Sequence, residues 1–234
     1  MTELLYLKDC YLKEFDAKVI DVQNNKVVLD KTAFYVLGGG QPNDTGKLLR
    51  GKEEFKVLNV RRDSGKIWHE LDKEGLKIGD IVHGIIDWER RYKLMRMHTA
   101  AHVLTMAIQT FFPDALVTGG QLDLQESRDD YALPELTQDL VKRIEDKANE
   151  IVKAALPVEI GELPREEAFK IPQIFKLRDV MPANIPRIRY TKIGTDYNAC
   201  GGTHVANTKE IGRIKITKAM SKGKDNKRIY FTVE

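Results

Sequence analysis

Four side chains have the types and spacing to hold a metal ion: His98 and His102 in RMHTAAHVL, and Cys200 and His204 in NACGGTHVAN, about a hundred positions further on. Each pair repeats at i, i+4. On a helix that spacing turns the second side chain only about 40° past the first, so both point the same way. Neutral imidazole and thiolate are preferred zinc ligands, and four of them complete a tetrahedral shell around one ion. A His-x-x-x-His pair alone is weak evidence, because most helical histidines belong to a surface or a core. Cys-Gly-Gly-Thr-His is sharper, since two glycines let the backbone fold closely around an ion. Of the five histidines, this leaves His69 and His83 as structural residues near strands.

A closed four-ligand shell is the pattern of a structural zinc, whereas a loose or absent ligand would let the ion activate water or polarise a carbonyl. The spacing does not choose between them. A protease of the His-Glu-x-x-His type is disfavoured, because Thr99 stands where those enzymes carry their general base.

A second candidate stretch is AFYVLGGGQPNDTG. Three glycines before Gln41 cannot be the interior of a strand, and they lack the Lys and Ser/Thr of a phosphate-binding P-loop. A plain tight loop is one reading. The other is a backbone approaching a ligand at Gly39 and Gly40, with the Gln41 amide offering a donor and an acceptor.

The elements that must position these residues are readable in outline. Residues 1–88 read as short strands with hairpin signals at Gln23-Asn24-Asn25 and Asp63-Ser64-Gly65, which predicts a small β-barrel. Residues 89–234 form the second expected domain. Asp87 can cap a helix from about Trp88 to Phe112, whose apolar residues Leu94, Met95, Ala101, Val103, Leu104, Ala107 and Ile108 crowd most of its circumference. A strand through LVTGGQLDL follows, then a helix opened by Pro134 and running to about Leu156, with Leu136, Leu140, Ile144, Ile151 and Ala155 as its stripe. VEIGEL and PRIRYTKI read as strands, PREEAFK as a short helix, and EIGRIKITKAM with KRIYFTVE as a basic hairpin across SKGKDN.

The 38 basic residues nearly balance the 35 acidic ones, so net charge alone does not imply nucleic acid. The distribution says more: Arg213, Lys215, Lys218, Lys222, Lys224, Lys227 and Arg228 stand against Asp225 and Glu234 in the last stretch. Arg90, Arg91, Lys93 and Arg96 open the long helix, where they could meet phosphate or pair with Asp87 and Glu89. No apolar run approaches the roughly 20 residues of a membrane span. No secretory segment is evident and Cys200 has a use as a ligand, so the expected compartment is the reducing cytoplasm rather than one that would favour a disulfide to Cys10.

Taken in order, AFYVLGGGQPNDTG, RMHTAAHVL, LVTGGQL, LPREEA and CGGTHVANTKEIGRIKI closely resemble the freestanding alanyl-tRNA editing proteins called AlaX, in their mid-length form, and the editing domain of alanyl-tRNA synthetase. The likeness covers nearly the whole chain. The metal motifs are shared with the threonyl-tRNA synthetase editing domain, while GGGQ and CGGTH favour the alanyl branch. The resemblance implies an α+β protein, a small β-barrel followed by a two-layer α+β editing domain. It implies one zinc held by His98, His102, Cys200 and His204, and hydrolysis of serine, with glycine as a second substrate, from mischarged tRNA(Ala) while Ala-tRNA(Ala) is spared. It also places Gly39, Gly40, Gln41 and Thr118 in the substrate site, with Gln41 and Thr118 as the expected catalytic residues and Thr118 contacting the serine hydroxyl. No membrane and no stable protein partner are expected. Two alternatives stay open: editing of Ser-tRNA(Thr), and a non-catalytic tRNA-binding module braced by zinc.

Overall fold

The computed structural model describes residues 2–171, 174, 185–194 and 196–234. The chain has an α+β architecture made of two compact units, Met1–Leu94 and Met95–Glu234.

In the first unit the strands are β1 (Glu3–Leu4), β2 (Glu14–Gln23), β3 (Lys26–Leu29), β4 (Lys31–Thr32), β5 (Gly46–Arg50), β6 (Glu53–Asp63), β7 (Lys66–Leu71) and β8 (Ile81–Ile86). Six of them close into an antiparallel barrel in the order β2-β3-β7-β6-β5-β8. Alternation sends Phe15, Ala17 and Val19 of β2, Phe55, Val57 and Val60 of β6, and Ile67 and Leu71 of β7 into one apolar core with Phe34 and Leu48. Closure leaves no open edge among these six strands. The β2–β3 turn puts Asn24 at φ 53, and the β6–β7 turn puts Ser64 and Gly65 at φ 49 and 79, as tight hairpins demand. His69 is buried among these strands, with Nε2 2.8 Å from the Thr32 hydroxyl. His83 pairs with Asp16 at 2.8 Å.

The glycine-rich stretch is a tight turn. Gly38 and Gln41 exchange both backbone hydrogen bonds, at 3.0 and 3.3 Å, around Gly39 and Gly40, whose φ values of 58 and 79 explain why glycines stand there. The turn is anchored from its far side. Asp44 accepts from the Tyr35 amide at 2.6 Å and forms a fully buried ion pair with Arg91. The Arg91 guanidinium also donates to the carbonyls of Cys10 at 2.9 Å and Ala33 at 2.6 Å. Arg91 therefore serves the barrel, not phosphate.

The long helix α1 (Trp88–Phe111) begins in the first unit and continues in the second. Asp87 caps it, its Oδ1 accepting from the Arg90 amide at 3.2 Å. No Gly or Pro interrupts it, and Pro113 follows its end.

The second unit adds β9 (Val117–Gln121), β10 (Ser127–Tyr131), α2 (Gln138–Lys153), β11 (Val158–Pro164), α3 (Arg165–Ala168), β12 (Arg187–Ile193), β13 (Asp196–Ala199), β14 (Ile214–Gly223) and β15 (Asn226–Val233). β14-β15-β10-β9 form a four-stranded sheet, and β11-β12-β13 a three-stranded one. Helix α2 guards the β14 edge: Asn149 accepts from the Ile214 amide at 2.9 Å and donates to its carbonyl at 2.8 Å, while Glu145 accepts from Ile216 at 2.6 Å. The start expected at Pro134 is displaced to Gln138, because the Thr137 hydroxyl accepts from the Leu140 amide at 3.3 Å and so caps the helix. Its buried stripe is Leu140, Ile144, Ala148 and Val152, and Ala155, expected on it, is exposed at φ 52 just beyond the end. Among the described residues no helix is long and apolar enough to cross a membrane.

Candidate metal centre

Helix α1 is surrounded by packing on several sides in its middle turns, where Met95, Met97, Ala100, Val103 and Leu104 have no exposed surface. His98 and His102 sit on this stretch, the first buried and the second half-buried. Cys200 follows β13 directly. Its backbone is pinned to β12 from two sides: its amide donates to the Arg189 carbonyl at 3.1 Å, and Arg189 Nη1 donates to its carbonyl at 2.6 Å. His204 comes four residues later, just before Asn207 and Glu210 close a capping box on a short 3-10 turn.

The four side chains converge. Their ligand atoms all lie within 4.8 Å of one another. Cys200 Sγ is 3.6 Å from His98 Nε2 and 3.2 Å from His204 Nε2, and the three imidazole centroids are 4.4 to 5.4 Å apart. A tetrahedral shell with usual zinc–nitrogen and zinc–sulfur lengths separates neighbouring donors by roughly 3.3 to 3.6 Å. The cluster can hold an ion with little rearrangement.

Electrostatics point the same way. Burial pushes the His98 and His204 imidazoles well below their usual pKa, and each is pushed further by neighbouring histidines and by the Arg189 cation. Both are neutral near pH 7, as metal ligands must be.

Thr99 fixes the tautomer of His204. Its hydroxyl donates to the Met95 carbonyl at 2.9 Å, so its oxygen is left to accept, from the Val205 amide at 3.2 Å and from His204 Nδ1 at 3.3 Å. Assigned from this network, the proton sits on Nδ1, and Nε2, the nitrogen facing Cys200, keeps its lone pair. The residue that excludes a zincin-type base thus orients His204.

Comparison with known proteins places the chain in a family. Residues 5–90 match the family described as tRNA synthetases class II (A), and residues 188–230 match the threonyl and alanyl tRNA synthetase second additional domain. The chain is 46% identical to the alanyl-tRNA editing protein AlaX-M of Saccharolobus solfataricus, over the full length of both. It is 47% identical to the AlaX-M protein of Methanosarcina barkeri, over all of this chain and 99% of that one. The chain belongs to the AlaX-M family. The alanine–tRNA ligase of Pyrobaculum aerophilum is 44% identical across 93% of the chain, which corresponds to 25% of that ligase.

The other residues expected in an AlaX-M substrate site lie as follows. Gly39 and Gly40 are exposed at the tip of the first unit's turn, and Gln41 is wholly buried beside them. Thr118 is on β9 of the second unit. Its side chain is exposed, and its hydroxyl donates to Asn226 Oδ1 at 3.1 Å. Of the expected site residues, His98, His102, Cys200 and His204 are gathered at one point. Thr99 and Arg189 belong to that cluster as well, and sequence spacing did not indicate a role for either. Thr99 sits inside the helical motif, but its two acceptor bonds reach more than a hundred positions along the chain, and Arg189 is one cation in a strand that reads only as PRIRYTKI. The repeated cations of PRIRY beside the Cys200 loop were the available signal.

Proposed function

We propose that this AlaX-M protein is a trans-acting hydrolase that removes serine, and glycine as well, from mischarged tRNA(Ala) and leaves Ala-tRNA(Ala) intact, with one zinc ion held by His98, His102, Cys200 and His204. The observation that carries the reading is the convergence of three imidazoles and one thiol, two of the imidazoles held neutral by burial, in a chain that matches AlaX-M proteins from end to end. The thiol and imidazole donor set is that of zinc rather than of magnesium or calcium, which take oxygen ligands.

With one of its four ligands loosened, a bound zinc would supply a positive charge that could orient an amino group or polarise a carbonyl. The chain's own residues do the rest. The buried stretch around His98 limits water to what the substrate admits, and Thr99 and Arg189 hold the ligand loop in place, which favours positioning of the ester over flexible capture.

Thr118 is the residue we assign to reading the serine side chain. Its hydroxyl oxygen, already donating to Asn226, can still accept from a serine hydroxyl. A donor–acceptor pair desolvated by the bound aminoacyl group discriminates by about 1 to 3 kcal/mol against alanine, which lacks the hydroxyl. Because Thr118 is exposed, that gain depends on the substrate itself excluding water, and glycine, which offers no hydroxyl either, must be admitted on a different ground from serine. Gly39, Gly40 and Gln41 are assigned to substrate binding through the turn's exposed backbone at Gly39 and Gly40, and the wholly buried Gln41 side chain would have to turn out of its packing to present its amide.

A second reading has its own support: four protein ligands fill a tetrahedral shell, which suits an ion that braces the fold of a tRNA-binding module. One panel separates them. Purified metal-loaded protein is mixed with Ser-, Gly- and Ala-tRNA(Ala) and with Ser-tRNA(Thr). Release of serine and glycine from tRNA(Ala), with alanine retained, is the expected result. Absence of release rejects the hydrolase in favour of the binding module, equal release from all substrates rejects the selective editing reading, and preference for Ser-tRNA(Thr) moves the protein to threonyl-type editing.

A further inference from the structure

The outer face of the four-stranded sheet carries an ordered array of cations that the metal centre does not use. Strand register fixes its layout. One row across the sheet runs Lys218, Tyr230, Arg128 and Gln121, and the adjoining row runs Met220, Arg228, Asp130 and Gly119. The opposite face is the core, with Asp129, Tyr131, Ile229 and Phe231 buried. At the usual strand spacing the first row spans roughly 14 Å.

The array is held rather than loose. Asp130 accepts from Arg228 Nε at 2.6 Å and from Nη2 at 2.8 Å, and lies 3.7 Å from Arg128. Arg128 also donates to the Gln121 amide oxygen at 2.9 Å. Lys218 stands over the Tyr230 ring at 5.7 Å, and Lys222 is close enough to Asp130 to lower its pKa. Arg228, Arg128 and Lys222 therefore act on the one carboxylate, Lys218 stands in the adjoining row, and each guanidinium keeps further N–H groups for another acceptor. Such a fork-bearing surface, on which cations outnumber the single carboxylate Asp130, fits phosphate oxygens, which arginine binds in bidentate fashion. Gly119 leaves the sheet low beside Asp130, and the Thr118 hydroxyl reaches Asn226, the first residue of the strand that carries Arg228 and Tyr230.

We propose that this sheet face, through Arg128, Arg228, Lys218 and Lys222, binds the phosphate backbone of the RNA stem next to the aminoacyl ester. The proposal rests on the hydrolase reading for the identity of the RNA. An acidic protein is the competing occupant of such a surface.

The test uses the full-length metal-loaded protein and the double variant Lys218→Glu/Lys222→Glu, both exposed positions whose exchange leaves the core untouched, checked by circular dichroism. Binding of uncharged tRNA(Ala) is titrated over a salt series, and turnover is measured on Ser-tRNA(Ala) and on a short serine-charged CCA fragment. The variant is expected to bind tRNA at least about tenfold more weakly, with a salt slope smaller by about 2, because two phosphate contacts are lost. Its kcat and its turnover of the short fragment stay at the wild-type level. Unchanged affinity and slope overturn the proposal while leaving the hydrolase intact; absence of wild-type tRNA binding at any salt also overturns it, and turnover of Ser-tRNA(Ala) then decides the hydrolase reading separately. Polyglutamate binding as tight as tRNA and lost in the same variant also overturns it, assigning the face to an acidic protein. If wild-type protein binds tRNA through these lysines but releases no amino acid from any substrate, the hydrolase reading fails and the RNA surface stands.

Discussion

Asp129 should make the second unit less stable as the pH rises, against the usual trend for a carboxylate. Its side chain lies on the buried face of β10, so close to β9 that a Cβ on Gly120 would come within 2.5 Å of its Oδ1, which accounts for that glycine. Its polar neighbours are the Tyr131 hydroxyl at 3.4 Å, itself 3.3 Å from the Thr105 hydroxyl. Burial raises the Asp129 pKa from 3.8 to about 7. The Tyr131 hydrogen bond opposes the rise, and the Asp130 charge adds to it. With the folded value above the unfolded one, the folded state binds more protons between them, so stability present at low pH is lost as the pH climbs through about 7. From the two pKa values the loss is about 1.7 kcal/mol at about pH 5 and about 4 kcal/mol at about pH 8. Asp129→Asn preserves shape and cannot ionise. Urea unfolding of wild type and variant, followed by circular dichroism at both pH values, should show the variant's relative stability improving by about 2 to 3 kcal/mol from the lower to the higher pH. Taking the difference between the two proteins cancels every group they share, metal ligands included. A difference that stays flat, or moves the other way, refutes the reasoning.

Three further outcomes are expected. Thr99→Val should leave the fold intact yet weaken metal retention about 10- to 100-fold, since His204 loses the acceptor that fixes its tautomer; competition with a chelator measures this. Asp44→Ala should destabilise the first unit by about 3 to 5 kcal/mol, because the Arg91 guanidinium would remain buried without its carboxylate, and tryptophan fluorescence reports it because Trp68 and Trp88 both lie in that unit. His69, held by burial at a pKa of about 4, should cost the barrel about 3 kcal/mol as the pH falls from about 6.5 to about 4, where the unfolded state takes up the proton first; His69→Gln should remove that part of the acid loss in the same assay.

Much of this architecture was legible from short-range chemistry. The hairpins of the barrel announce themselves through Asn24-Asn25 and Ser64-Gly65, because only a few residue types tolerate positive φ. Helix α1 is framed by Asp87 and Pro113. What escaped were strands whose stability comes from their neighbours: β10 reads SRDDY, poor in strand formers, and is held by pairing with β9 and β15 and by the Asp130–Arg228 ion pair. The start of α2 was misplaced because proline is tolerated before a helix as well as in it, and the Thr137 cap decides. At the metal centre, ligand spacing was visible because both pairs are local. The roles of Thr99 and Arg189 depend on contacts between distant segments, and the ion pair that consumes Arg91 joins positions 47 apart, so no local pattern encodes it.

The central claim is that one zinc ion is shared by His98, His102, Cys200 and His204, and X-ray absorption at the zinc edge on the purified protein tests it most directly. The account predicts one zinc per chain, with a single sulfur neighbour at about 2.3 Å and three nitrogens at about 2.0 to 2.1 Å. A shell with no sulfur, or protein that carries no zinc when purified and takes up none when supplied, would contradict it.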